Sequence, residues 1–190
     1  MLILPPSFPY VGMENPRLSF ITPSVLAGDR SLVSLIAHEL AHSWSGNLVS
    51  NATWRDIWLN EGTTSYLETR LMEGLFGKER ADEERVLTYL SLLEQLQETE
   101  IEMQALAPRM DSGDPDVGQG GLEYGKGQLL LETLEARFGR ELFDAYLTGY
   151  FQHFAWQAIA TEQFLEYTGL CSHGSLLVAL WSHPFGGADI

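Results

Sequence analysis

The residues best suited to chemistry are His38, Glu39 and His42, which form an H-E-x-x-H pattern. Glu39 is the only Asp, Glu, Lys or Arg between Arg30 and Arg55, so the pattern lies in a stretch that favours burial. Helix positions four apart are separated by about 40° around the axis and about 6 Å along it, so both imidazoles can reach one ion.

A buried carboxylate and two buried imidazoles are costly unless a charge pairs with them, and a metal ion supplies that charge. The pattern therefore predicts one zinc ion bound by His38 and His42, with Glu39 as the general base that takes a proton from the water on the metal. The alternative is a chance match, with two core histidines that bond to the backbone.

A catalytic zinc site uses three protein ligands, so the third must come from another segment. Glu61, in WLNEGTTSYLE, lies early in the next predicted helix. It can face both histidines if the connection between Asn47 and Trp54 folds the two helices antiparallel. Other possible ligands are His153, His173 and His183. No motif surrounds any of these histidines, so a core or surface role suits them better.

Two further polar residues are candidates for the surroundings of the metal. Glu68 lies seven residues after Glu61 on the same helical face, where it can hydrogen-bond a ligand imidazole; an exposed carboxylate is the alternative. Asn60 either supports the ligand beside it or caps the helix.

The elements that must position these residues are mostly helical by periodicity and capping signals. Ser31 is the expected N-cap of the first helix, which should be buried all round, and Thr161 the cap of the last. The third helix should place Val86, Leu90, Leu93 and Leu96 in the core. The predicted helices span 31–46, 56–75, 79–106, 128–138, 140–153 and 162–167.

The other segments are a strand at 17–22, an apolar run at 2–4, and a long loop at 108–127 that is rich in Gly, Pro and Asp. These patterns predict an α+β fold that is predominantly α-helical, in one domain over 1–170. The last segment, 171–190, has no clear periodicity and stays unassigned.

Charge and composition exclude several kinds of partner. With 190 residues and a net charge of −15, the chain should repel nucleic acid and anionic membranes. The single cysteine, Cys171, allows no intrachain disulfide and fits a reducing compartment. We find no signal peptide or membrane-spanning run, and we expect a cytoplasmic protein. The oligomeric state is not indicated.

The longer motifs carry a resemblance. HELAH, followed after eighteen residues by Glu61 in NEG, resembles the gluzincin metallopeptidases. The segment with Gly12, Met13, Glu14 and Asn15 is similar to the G-x-M-E-N exopeptidase motif of the large zinc aminopeptidase family, whose glutamate binds the free α-amino group of a peptide substrate.

Over residues 2–168 the amino-acid sequence is similar to that of the leukotriene-A hydrolase and aminopeptidase B branch of that family. The resemblance implies a thermolysin-like catalytic domain. It also implies that Tyr124, in EYGKG, stabilises the oxyanion, and that Asp116, in DPDV, lines the substrate pocket.

The chain departs from the branch at Val11, where the motif normally has a glycine, and at Gln119, where leukotriene hydrolase has a second pocket tyrosine. Family members also carry flanking domains, so we expect a truncated catalytic domain. Three hypotheses remain: an aminopeptidase acting on peptides with a free N-terminus, an epoxide hydrolase using the same zinc, and an incomplete domain that binds zinc without turnover.

Overall fold

The computed structural model describes residues 1–109 and 120–169. This part of the chain is mainly helical with two small sheets, which confirms the predicted α+β class. The strands are β1 (Leu2–Ile3), β2 (Gly12–Met13), β3 (Phe20–Ile21), β4 (Val49–Asn51) and β5 (Gln157–Ile159). The helices are α1 (Val33–Ala41), α2 (Trp58–Phe76), α3 (Lys78–Glu98), α4 (Leu122–Phe138), α5 (Arg140–His153) and α6 (Thr161–Tyr167).

The first sheet holds the segment before α1 in place. β3 lies at its centre, parallel to β1 and antiparallel to β2, with Met13 opposite Phe20. The strand predicted at 17–22 is shorter than expected, because Arg17 has a left-handed φ of 68° and Leu18 is exposed. The pairing fixes β2, so the residues after it reach the end of α1.

Helix α1 is shorter than the predicted span 31–46. Ser31 is not its N-cap: the Ser31 amide donates to Asp29 Oδ1 at 2.9 Å, and the helix begins after Leu32 without a side-chain cap. It is also not buried all round, since Leu40 and Trp44 are each about half exposed. The helix therefore rests on the fold by one face, and His42 is its C-cap.

Helix α2 crosses α4 at very close range. A Cβ at Gly62 would lie 2.6 Å from the Cα of Gly127, so both positions need glycine for the two backbones to meet. The predicted span 56–75 is nearly right, although Trp54–Asp56 forms a 3-10 turn before the helix. This crossing brings Glu61 on α2 beside the first turn of α4.

The prediction for α3 was wrong both in where the helix ends and in which face is buried. Helix α3 ends at Glu98, not at 106, and Val86, Leu90 and Leu93 are exposed while Leu92 is 2% exposed. The buried face of α3 is the one that meets α4, where a Cβ at Gly125 would touch Leu92 at 3.3 Å.

Helix α4 begins six residues before the predicted 128–138, so the end of the expected loop 108–127 is helical.

The core lies between α2, α4, α5 and α6. The pair β4 and β5, which sequence patterns did not reveal, joins the connection after α1 to the segment before α6. The prediction that Thr161 caps the last helix is wrong, since Thr161 is the first residue of α6 and Ala160 is its N-cap. The Thr161 side chain is buried, and its hydroxyl accepts a hydrogen bond from Trp58 Nε1 at 2.9 Å instead. The largest buried cluster contains Val49, Trp58, Leu59, Tyr66, Leu106, Leu130, Leu131, Leu134, Phe143, Leu147, Tyr150, Phe154, Ile159 and Phe164.

Candidate metal centre

Three predicted ligands converge at the meeting of α1 and α2. Glu61 Oε2 lies 3.3 Å from His38 Nε2 and 3.5 Å from His42 Nε2. One ligand atom from each residue lies within 4.8 Å of the others. A tetrahedral zinc ion with bonds of about 2.0–2.1 Å separates its ligand atoms by roughly 3.3–3.4 Å, so the donor set and its spacing fit zinc.

Both imidazoles are held so that Nε2 faces this point. His38 Nδ1 lies 3.0 Å from Glu68 Oε2, and His42 Nδ1 lies 3.0 Å from the backbone oxygen of Ser45. A proton on Nδ1, donated to these oxygens, leaves Nε2 with a free lone pair for a metal. Glu68 therefore occupies the place expected for a residue that orients a ligand.

The protonation of His38 is linked to the centre. Although burial works against its charged form, hydrogen bonds to Glu61 and Glu68 raise the pKa of His38 to about 10. Without a metal ion, the doubly protonated form of the imidazole is therefore favoured near neutral pH, and a metal ion must displace the proton on Nε2.

Glu39 is buried directly beside the centre, with an exposed fraction of 6%. Burial raises its pKa to about 7; the charge of His38 opposes this rise, and the carboxylates of Glu14, Glu61 and Glu68 add to it. Its Oε1 lies against β2, since a Cβ at Gly12 would be 1.9 Å away, and its Oε2 has no hydrogen-bond partner. A carboxylate with a pKa near 7 suits a general base.

The segment after β2 carries Glu14 to the same place. Glu14 Oε1 accepts a hydrogen bond from Asn60 Nδ2 at 3.2 Å, and its backbone oxygen accepts one from Asn47 Nδ2 at 2.9 Å. Oxygen atoms of Glu14 and Glu39 and a nitrogen of His42 lie within 4.8 Å of one another. Asn60 thus holds the Glu14 carboxylate by a hydrogen bond. It is not the N-cap of α2, because that position is occupied by Ile57.

Tyr124, in the first turn of α4, lies beside the centre. Its ring centroid lies 5.9 Å from that of His38. Burial, together with the charges of Glu61 and Glu123, raises the pKa of its hydroxyl well above the usual value. The hydroxyl therefore keeps its proton and can donate a hydrogen bond.

The profile described as the Peptidase family M1 domain matches residues 1–178. The chain belongs to peptidase family M1.

Curated relatives of this M1 domain include two enzymes of different names. Leukotriene A-4 hydrolase of Xenopus laevis is 46% identical over 174 residues, which cover 88% of this chain and 28% of that protein. Leucine aminopeptidase 2 of Yarrowia lipolytica is 41% identical over 174 residues, covering 87% of this chain and 27% of that protein. The chain thus spans less than a third of the length of these relatives.

Solved structures show the same fold. The yeast LTA4 hydrolase in complex with bestatin superposes with a TM-score of 0.89 at 34% identity, covering 97% of this chain and 31% of that one. An M1 zinc metallopeptidase from Deinococcus radiodurans, at 21% identity and a TM-score of 0.72, covers 98% of this chain and 39% of that one and supports the fold alone. The predicted resemblance and thermolysin-like class are confirmed, and membership of this family implies zinc.

Some predicted residues of the M1 domain do not reach the centre or lie outside the described part. His153 stacks on Tyr167 at 5.2 Å, away from the ligands. Met13 and Asn15 flank Glu14, and Val11 is exposed. Outside the described residues lie Asp116, Gln119, His173 and His183.

Sequence reasoning missed three supporting residues. Thr64, whose hydroxyl lies 3.1 Å from His42 Nδ1, could have been found, because it follows Glu61 by three positions on the same helical face. Ser45 and Asn47 act partly through backbone contacts in an irregular connection, for which no pattern exists.

Proposed function

We propose that this M1 domain is a zinc-dependent aminopeptidase that hydrolyses the N-terminal peptide bond of peptides, with one zinc ion. The observation that carries the proposal is the placement of Glu39 and Glu14 within 4.8 Å of the nitrogen of His42, which also belongs to the ligand set. Glu39, the proposed base, and Glu14, the proposed anchor for a positive charge, thus both lie close to the ligand His42.

His38, His42 and Glu61 would hold the zinc ion, which supplies Lewis acidity and a bound water with a pKa of about 7. Glu39 takes a proton from the attacking water and returns it to the leaving amine. Tyr124 donates a hydrogen bond to the carbonyl oxygen as negative charge develops there, a contribution of about 2.7–4 kcal/mol where such donors have been removed.

Glu14 defines where the peptide is cut. Asn60 holds its carboxylate, which binds the α-ammonium group of the substrate, so that the first peptide bond lies at Glu39. Within residues 1–109 and 120–169, no Lys or Arg forms an ion pair with Glu14, Glu39, Glu61 or Glu68, so no basic side chain there competes with a positively charged substrate end for Glu14.

The test is Glu39→Gln, which keeps the size of the side chain and removes the base. We expect zinc content to be unchanged and hydrolysis of leucyl-aminomethylcoumarin to fall by about 10²–10⁴-fold. The control is Glu141→Gln, an exposed carboxylate on α5 outside the centre. Wild-type turnover by the Glu39→Gln variant would refute the assignment of the base.

The same centre supports a second candidate, epoxide hydrolysis, because a 46%-identical relative carries the name leukotriene A-4 hydrolase. Release of leucine from peptides without diol formation from a lipid epoxide would favour the aminopeptidase. A domain of this length could also bind zinc without turnover, and a zinc assay made beside the turnover assay separates that outcome from the first two.

Peptides with a free N-terminus are the partners we propose, on the basis of Glu14. No helix in the described part of the chain has the length and hydrophobicity needed to cross a bilayer. The cytoplasmic location and the lack of nucleic-acid and membrane partners remain predictions.

A further inference from the structure

An apolar groove runs between the C-terminal half of α4 and the N-terminal half of α5, and we call it the α4–α5 groove. Its volume is about 230 Å³, which holds a few aliphatic side chains. Two of its lining residues, Phe138 and Leu142, have exposed fractions of 50% and 61%. None of the described residues that line it carries a charge or belongs to the metal centre; they are Leu134, Phe138, Leu142, Phe143, Tyr146 and Thr168.

Tyr146 contributes a polar group without a partner. Its hydroxyl oxygen is buried and has no hydrogen-bond partner within residues 1–109 and 120–169. Burial raises the pKa of this phenol, and the nearby Tyr150 and Tyr167 add to the rise, so the hydroxyl keeps its proton. A buried hydroxyl that makes no hydrogen bond is unfavourable. A segment that covers the groove can supply a backbone oxygen as the acceptor.

The chain itself leads to this groove. Thr168 lines it, and residues 170–190 follow almost at once. Residues 176–181 read LLVALW, and no Asp, Glu, Lys or Arg occurs between 170 and 188. This run begins eight residues after Thr168, and at about 3.3–3.6 Å per extended residue the connection can reach any part of the groove. An uncharged apolar run gains free energy by burial against an uncharged apolar surface.

A larger groove, of about 610 Å³, is lined by residues of α1, α2 and α5. It suits this run less well, because its lining includes Arg70 and Asp144, which form an ion pair at 2.8 Å. A segment without charges would remove water from this pair and offer no charge in return, which is costly. The chemistry of residues 176–181 therefore matches the α4–α5 groove.

We propose that residues 176–181 bind in the α4–α5 groove of their own chain. Their apolar side chains fill the groove and cover Phe138 and Leu142, and a backbone oxygen accepts a hydrogen bond from Tyr146. The segment thus stabilises the end of the helical core. This inference is independent of the proposed function, because no residue that lines the groove belongs to the metal centre.

Photo-crosslinking of the full chain identifies what occupies the groove. Leu142→p-benzoylphenylalanine places a photoreactive side chain there, and mass spectrometry of the digested product locates the bond that forms. We expect crosslinks to residues 176–181 of the same chain. The matched control is Leu87→p-benzoylphenylalanine on α3, a site that is 64% exposed and outside the groove. A covalent dimer, no product at 176–181, or equal crosslinking from both sites would overturn the proposal.

A double-mutant cycle tests the same contact through stability. Leu142→Asp, and separately the joint change of Leu177→Asp with Leu180→Asp, should lower Tm by at least about 3 °C, the smallest shift expected when one leucine is uncovered in a domain of this size. Combined, the changes should lower Tm by less than the sum of their separate effects, because they break one contact. Leu87→Asp should instead be additive with the joint change. Full additivity for Leu142→Asp, or no shift from the joint change, would overturn the proposal.

The hydroxyl of Tyr146 provides a test by sign. If a backbone oxygen of residues 176–181 accepts its hydrogen bond, Tyr146→Phe should lower Tm in the otherwise unchanged chain, because a satisfied buried bond is lost. In the chain that carries Leu177→Asp and Leu180→Asp, the same change should no longer lower Tm. A rise in Tm in both proteins would show that the hydroxyl has no partner and would contradict the proposed contact.

Discussion

Substitution of Gly12 by alanine tests whether strand β2 holds Glu39, the proposed general base, in place. A Cβ at this position would lie 1.9 Å from Glu39 Oε1 and 2.5 Å from its Cδ, whereas ordinary van der Waals contact begins at 3.4 Å. The carboxylate must therefore retreat by about 1.5 Å, or β2 must move. Displacements of about 1 Å at a catalytic group cost about 10²-fold in rate, which corresponds to about 2.7 kcal/mol.

We expect Gly12→Ala to lower kcat for leucyl-aminomethylcoumarin by about 10²-fold, with full zinc content, because the three atoms nearest to the added Cβ all belong to Glu39. The matched control is Gly74→Ala on α2, where a Cβ meets no atom within 4 Å. Steady-state kinetics and metal analysis of both variants are the measurements. A Gly12→Ala variant within threefold of wild type would show that the contact with β2 does not position Glu39.

Further predictions concern the support of the centre and of the helices. Glu68→Gln should lower zinc affinity by about 10–100-fold, because the imidazole of His38 loses its acceptor; competition with a chelator measures this, and unchanged affinity would exclude the role. Arg140 and Arg85 hold the pKa of Glu73 near 2, below its ordinary value of 4.5, so its pairing should stabilise the fold above pH 4.5 and lose this effect as the pH falls through 2. Urea unfolding should therefore show a larger deficit for Glu73→Gln at pH 7 than at pH 2, and an equal deficit at both would contradict it.

The convergence of His38, His42 and Glu61 could be predicted from the sequence because the spacing of the two histidines is local. Two histidines four positions apart on a helix must share a face. The short connection between α1 and α2 limits the positions that Glu61 can occupy relative to these histidines. Glu68 follows from the same periodicity. These spacings place the four side chains on two helix faces, and this can be read from the sequence before any tertiary contact is known.

The errors arose where distant packing decides the local structure. The glycines of EYGKG suggested a loop, yet Gly125 and Gly127 are helical and allow α4 to approach α3 and α2 closely. Likewise, the exposed side of α3 carries more apolar residues than its buried side, which holds Ala81 and Leu92, so periodicity alone chose the wrong face. The pairing of β4 with β5 joins segments more than a hundred residues apart, and no local pattern specifies it.

The contact of Gly12 with Glu39 illustrates the same limit at the centre. The resemblance suggested a role for Gly12 towards substrate, whereas the structure places it against the carboxylate of Glu39. This contact depends on the position of β2, which pairs antiparallel with β3 and places Gly12 opposite Ile21.

The central claim is that His38, His42 and Glu61 hold one zinc ion. X-ray absorption spectroscopy at the zinc edge, on protein loaded with one equivalent, tests it most directly. We predict two imidazole nitrogens and carboxylate or water oxygens at about 2.0–2.2 Å, with one imidazole lost in His42→Ala. A sulfur ligand at about 2.3 Å, or a spectrum that His42→Ala leaves unchanged, would contradict the account.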